Sequence, residues 1–216
     1  MKNIEYQNII EACILQIINE FHLNPFVYVM ESDIQAHLYV KIFKELKKKD
    51  ESFIKLANIN KSYSKIWPDK GRKTTVLHCE LPIPKRNHID IGLWDETELT
   101  TDEWSYWKKI KYAIEIKYNW ECSLTKALKA GLINDLKKMI DNNVEYGHLL
   151  CFLGREIDNI KKEMSDWENL LAFVKKEYEK TSYNIQIYTI NPRKAYRYLL
   201  QGKKWQELNN NQWVNF

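Results

Sequence analysis

Two short segments constrain the fold more than any other part of the chain: His88-Ile89-Asp90-Ile91-Gly92-Leu93-Trp94 and Tyr112-Ala113-Ile114-Glu115-Ile116-Lys117-Tyr118. Each alternates apolar with polar or small residues at period two, the pattern of a strand with one buried face. Ile89, Ile91 and Leu93 fall on one side of the first strand, and Ile114, Ile116 and Tyr118 on one side of the second. The opposite sides carry Asp90 from one strand and Glu115 and Lys117 from the other. Adjoining strands would bring two carboxylates and a lysine to one place.

The flanking segments supply cover for such a sheet. Residues 4–22 form an amphipathic helix whose stripe is Ile9, Ile10, Cys13, Ile14, Ile17, Ile18 and Phe21, ended by Asn24-Pro25. A second helix starts near Ser32 or Asp33, either of which suits a cap, and runs through Leu38, Ile42, Phe43 and Leu46. A strand over 74–81 is expected to stop at Pro82 and Pro84. After the two alternating strands come a helix over 124–142, an apolar run at 146–153 fit for a doubly covered central strand, a helix over 156–179, and a strand over 183–190. This order predicts an α/β fold with a mixed central β-sheet flanked by helices on both faces. One domain is expected over 1–190, with N-terminal helices at 4–48 and a core at 74–190. Asn191-Pro192 then leads into a basic, aromatic tail over 191–216.

Composition narrows the classes. At 216 residues, 44% apolar and 29% charged, the chain can bury a core and is too apolar for disorder. No apolar stretch reaches membrane-spanning length, so no membrane association is expected. Cys13, Cys79, Cys122 and Cys151 lie far apart, without zinc spacing and beside apolar runs. Buried, reduced thiols in a cytoplasmic protein are the expectation. Neither a phosphate-binding GxxxxGK(S/T) loop nor a Ser-His-Asp or Cys-His hydrolase motif occurs.

Acid-x-Lys triplets occur at Glu45-Leu46-Lys47, Glu115-Ile116-Lys117 and Asp135-Leu136-Lys137. Only the middle one lies in a strand, where residues two apart share a face. Together with Asp90 and with Glu31 at the start of the preceding helix, it resembles the PD-(D/E)XK nuclease superfamily over roughly residues 30–153. Ile89 stands where the motif's proline would be. The resemblance implies a restriction-endonuclease-like fold with an αβββαβ core. It also implies metal-dependent cleavage of nucleic acid, DNA in preference to RNA, and a homodimer where both strands are cut.

The chemistry suits those residue types. Mg²⁺ or Mn²⁺ takes oxygen ligands, which Asp90, Glu115 and the Ile116 carbonyl would provide. Lys117 would hold the attacking water and stabilise charge developing on phosphate, and Glu31, with Gln35 one turn on, would assist. Lys61, Lys65, Lys70, Arg72 and Lys73, interleaved with Tyr63 and Trp67, suit phosphate tracking and base stacking. Lys85, Arg86 and His88 precede Asp90 and are candidates for phosphate contact. Asp135 and Lys138 are three apart in a helix and are expected to form an ordinary helical ion pair. The tail, with Arg193, Lys194, Arg197, Lys203, Lys204, Trp205 and Trp213, offers a surface for nucleic acid or a protein partner. Two rival readings stand beside the nuclease. One is a surface ion-pair cluster on the wet side of a sheet. The other is a non-catalytic nucleic-acid-binding or scaffold subunit on the same fold.

Overall fold

A computed structural model of the chain describes residues 2–49, 53–55, 57–59, 73–83, 87–94, 100–101, 110–120, 125–154, 165, 167–172, 184–200 and 204–215. Helix α1 (Lys2–Leu23) and a short 3₁₀ turn (Pro25–Val27) lead into α2 (Glu31–Lys48). Short strands β1 (Phe53–Lys55), β2 (Ala57–Ile59) and β3 (Lys73–Thr75) precede β4 (Leu77–Ile83), β5 (Asn87–Trp94), β6 (Thr100–Thr101) and β7 (Ile110–Asn119). Helix α3 (Lys126–Asp141) connects to β8 (Tyr146–Leu153). Then come β9 (Asn184–Ile190), β10 (Ala195–Leu199), β11 (Lys204–Asn209) and β12 (Gln212–Asn215). Of the helix expected over 156–179, residues 165 and 167–172 are described, and they are helical.

Eight strands form one mixed sheet in the order β12-β11-β10-β9-β8-β7-β5-β4, while β1 pairs with β3 and β2 with β6. β7, β8 and β9 run parallel at the centre, and the remaining pairs of the large sheet are antiparallel. One face packs on α1 and α2 through Ile10, Ile14, Ile17, Leu38 and Ile42 against Ile114, Ile116, Leu150 and Phe152. The other packs on α3 and the 167–172 helix through Leu132, Leu136, Met139, Trp167 and Leu171 against Leu149, Cys151, Ile185 and Ile187. The fold is therefore α/β, its central strands covered on both sides, which is why β8 is an unbroken apolar run.

Several boundaries differ from the sequence expectation for identifiable reasons. Residues beyond 191 are not a tail: β10, β11 and β12 extend the large sheet. Their hairpin turn uses Asn210 and Asn211, both at positive φ (48° and 62°), a conformation asparagine tolerates and tight two-residue turns require. Pro82 does not stop β4, because β4 is an edge strand whose outer side needs no N–H donor. Helix α2 starts at Glu31, ahead of Ser32 and Asp33, since the Asp33 carboxylate accepts the N–H groups of Val29 (2.9 Å) and Met30 (3.1 Å) from inside the first turn. Cys79 is exposed, Cys13 and Cys151 are buried thiols, and Cys122 lies outside the described residues.

One irregularity positions the site. Ile91 and Leu93 join the core under α1 and α2, but Ile89 joins the core under α3, so the three do not share a face as the alternation suggested. β4 changes sides likewise, between Leu77 and Leu81. Between them Glu80 adopts a positive φ of 48°. The β5–β7 ladder runs from Trp94↔Ile110 to Ile91↔Ile114 and lapses at Asp90. There the Asp90 carboxylate accepts the Ile116 N–H at 2.7 Å, so a side chain replaces a backbone partner. Gln35 of α2 braces the kink, donating to the Asp90 carbonyl at 2.7 Å and to Glu80 Oε1 at 2.8 Å.

Candidate active site

Where β5 and β7 part, four elements deliver charged side chains to one place. β5 brings Asp90, β7 brings Glu115 and Lys117, the first turn of α2 brings Glu31, and α3 brings Asp135 and Lys138. Lys117 Nζ lies 3.0 Å from Asp135 Oδ2 and 3.8 Å from Glu31 Oε2, and donates to its neighbour's Ile116 carbonyl at 3.1 Å. Glu31 Oε1 accepts the Tyr118 N–H at 3.2 Å, which ties the helix start to the strand. Lys138 Nζ lies 2.8 Å from Glu115 Oε1 and 2.8 Å from Asp135 Oδ1, and donates to the His88 carbonyl at 3.0 Å.

Burial divides the members. Glu115 is fully buried and Asp135 nearly so, whereas the lysine side chains keep about a fifth of their surface in solvent (20% and 19%). A wet-surface ion-pair cluster is thus excluded for Glu115. Neither Glu115 oxygen receives a hydrogen bond of regular geometry from the described residues; the ammonium at Oε1 compensates it as a charge. Burial, then repulsion from Asp135 and Asp90, raises the Glu115 pKa, and Lys138 offsets this only in part. Burial also raises Asp90, against the Ile116 N–H and both lysines. Burial alone would lower both lysines, but the surrounding carboxylates reverse the sign and hold them charged. Asp135 and Glu31 dominate at Lys117, Glu115 and Asp135 at Lys138.

The donor set is all oxygen, with Glu31, Asp90, Glu115 and Asp135 set against Lys117 and Lys138. With every group ionised that leaves two negative charges, the complement of one divalent cation. A buried carboxylate held by one ammonium, with a second carboxylate within electrostatic reach, is a donor set that a hard cation could use, and such an ion would offset the desolvation that raises both pKa values. Asp90 and Glu115 are the residues able to hold it. Among the described residues no three His, Cys, Asp or Glu side chains group closely enough to complete a shell. Water and substrate oxygens would have to fill the remainder, as Mg²⁺ commonly allows.

Of the four residues expected at the centre, Lys117 reaches Glu31 at 3.8 Å and Asp90 lies within electrostatic reach of Lys117 and Glu115, but no hydrogen bond or ion pair joins Glu115 to the other three. Ile116 contributes its N–H to Asp90, but its carbonyl is engaged by Lys117, so its place as a ligand is contested. His88 is exposed and meets the cluster through its carbonyl. Lys61, Lys65, Lys70, Arg72, Lys85 and Arg86 lie outside the described residues, and of Lys73 only its backbone place in β3 is described. Sequence reasoning undervalued Asp135 and Lys138. Their expected ion pair is present at 2.8 Å, yet each also reaches across to β7. The available signal was that Asp135 shares a helix face with Leu132 and Met139, the face α3 turns to the sheet, and that Lys138 lies one turn from Asp135 on its flank. Comparison with protein-family models, curated proteins and solved structures returned no match.

Proposed function

We propose that the chain is a Mg²⁺- or Mn²⁺-dependent nuclease built on a restriction-endonuclease-like core. The observation that carries this reading is Glu115: a fully buried carboxylate, without a regular hydrogen bond among the described residues, beside Asp90 and two residues from a charged lysine. A buried acid left without full compensation costs roughly 1–3 kcal/mol on mutational scales, and the single Lys138 ammonium offsets the desolvation only in part. Bound by Asp90 and Glu115, the cation would polarise the phosphate and lower the pKa of bound water. Lys117, fixed by Asp135 and Glu31, would orient that water and stabilise charge developing on the phosphoryl oxygens. The water oxygen forms the new P–O bond, and the departing oxygen leaves with its electron pair and takes up a proton.

DNA is preferred because of the sequence resemblance. Trp120, three residues after Lys117, and Phe26 present exposed rings with centroids 6.0 Å apart, suited to stacking on bases.

Cleavage of supercoiled plasmid and of labelled single strands in Mg²⁺, Mn²⁺ or EDTA tests the proposal. Products should require metal, and Lys117→Ala should slow their formation by about 10²–10³-fold. Equal rates for wild type and Lys117→Ala would place the chemistry elsewhere or reveal contamination. One observation favours a second reading, a nucleic-acid-binding or scaffold protein: Lys138 already stands against Glu115, so the cluster is partly neutralised without metal. Binding of nucleic acid that EDTA leaves unchanged, with no products in any metal, would decide for it.

A further inference from the structure

The two lysines of the site are held differently. Lys117 contacts Asp135, Glu31 and the Ile116 carbonyl but makes no ion pair with Glu115, so a cation on Asp90 and Glu115 can coexist with it. Lys138 instead sits in a cage of three oxygens drawn from three elements: Glu115 Oε1 of β7, Asp135 Oδ1 of α3 and the His88 carbonyl of β5, at 2.8, 2.8 and 3.0 Å. An ammonium carries three N–H groups, and three oxygens surround this one. They are also the hard, anionic or carbonyl oxygens that a divalent cation prefers. An ion bound to the same Glu115 oxygen would stand within a few ångströms of Nζ, where like charges repel strongly in a buried setting.

We infer that Lys138 is an internal competitor for the divalent cation. Its ammonium holds Glu115 in the metal-free protein and withdraws when the cation arrives, so this one side chain sets the metal affinity of the site. The inference rests on the metal-dependent reading above. Two further features support exchange over a fixed lock. Glu115 Oε2 is buried and has no hydrogen-bond partner among the described residues, so its lone pairs are not engaged by the protein. The Lys138 side chain is 19% exposed, which gives its ammonium a way out to water while Asp135 stays behind on Lys117.

Direct Mn²⁺ binding, followed by loss of the free-ion electron paramagnetic resonance signal, tests this without reference to cleavage. The proteins compared are wild type, Lys138→Met, Lys138→Gln and Glu115→Gln. Lys138→Met should bind Mn²⁺ about tenfold or more tightly than wild type, and Glu115→Gln should lose binding. Should Lys138→Met fold poorly without metal, Lys138→Gln keeps a polar donor in the cage and should show the same tightening. Binding by wild type with no tightening in either lysine variant would overturn the competitor role and leave the metal site standing. No binding by any of the four proteins would overturn the metal site, and this inference with it.

Discussion

On the α1 face of the sheet, Glu11 is a partly buried carboxylate whose pKa is lowered. On the α3 face, Glu115 is a buried carboxylate whose pKa is raised. Burial pushes both upward. Around Glu11 hydrogen bonds win: Gln7 donates to Oε1 at 3.0 Å, Gln186 donates to it at 2.9 Å, and Arg197 stands 3.4 Å from Oε2. The contacts continue from there. Tyr188 donates to Gln186 Oε1 at 2.6 Å, the His148 Nδ1 lies 3.3 Å from the Tyr188 oxygen, and Arg197 is gripped by Gln206 and lies 4.7 Å over the Trp213 ring. One carboxylate faces one guanidinium. Around Glu115 four carboxylates face two ammonium groups, and no regular hydrogen bond reaches its oxygens from the described residues. A network in which the carboxylate has its own guanidinium and two amide donors holds elements together, here α1 to the C-terminal strands. One left short of positive charge is the arrangement on which the proposed metal dependence rests.

That contrast can be broken by mutation. The largest effect is expected from Arg197→Ala, which strands Glu11 and removes the cover over Trp213. Unfolding in urea should show a loss of about 2–4 kcal/mol, because an unpaired, partly buried charge remains. A loss within error would mean the Glu11 network contributes nothing.

Acid titration should come next in size. His148 is fully buried and its pKa falls from the ordinary 6.5 to about 4, chiefly through desolvation. A depressed folded pKa gives stability that is present above pH 6.5 and lost as pH falls toward 4. The expected loss across that window is about 1–3 kcal/mol. His148→Leu should flatten this part of the curve; an unchanged slope would assign the acid sensitivity to other groups.

Glu115→Gln should move stability the other way. A carboxyl group with a raised folded pKa costs stability progressively as pH rises above its unfolded value. In EDTA at pH 8 the variant should therefore be more stable than wild type, by about 1–2 kcal/mol. A destabilised Glu115→Gln would show that the Lys138 pair is already a satisfied contact and remove the contrast with Glu11. The smallest effect is expected at Gly131 of α3, where an added Cβ would meet Lys117 Cε at 3.6 Å, an ordinary contact. Gly131→Ala should gain about 0.5–1 kcal/mol by helix propensity and leave Lys117 in place. Cleavage that fell with this change would mean the lysine stem needs more room than the distance suggests.

Period-two alternation and the 3.6-residue stripes were legible because each reports one buried face, and β5, β7, β8, β9, α1 and α3 lie within two residues of the expected bounds. The C-terminal strands were hidden by Asn191-Pro192 and by their positive charge. Asn209-Asn210-Asn211 between Trp205 and Trp213 was the usable hairpin signal. In the site, strand neighbours could be paired from the pattern, since residues two apart face the same way. What sequence spacing does not carry is the rotation of α3 over β7, or a local event such as the left-handed Glu80. Those depend on tertiary packing, and they bring Lys138 to Glu115 and turn Ile89 away from Ile91.

The bond between Glu11 and Arg197, echoed by Asn19 donating to Asn211 at 3.1 Å, spans almost the whole chain. Helix α1 is made well before Tyr188 and Ile190, yet its apolar stripe shares a core with them. At synthesis rates of roughly 5–20 residues per second, the helix would wait on the order of 10–30 s with Ile10, Ile14 and Ile17 uncovered. Until then α2 is the nearest large partner α1 has along the chain, and the core on this side of the sheet closes only when the strands far along the chain arrive.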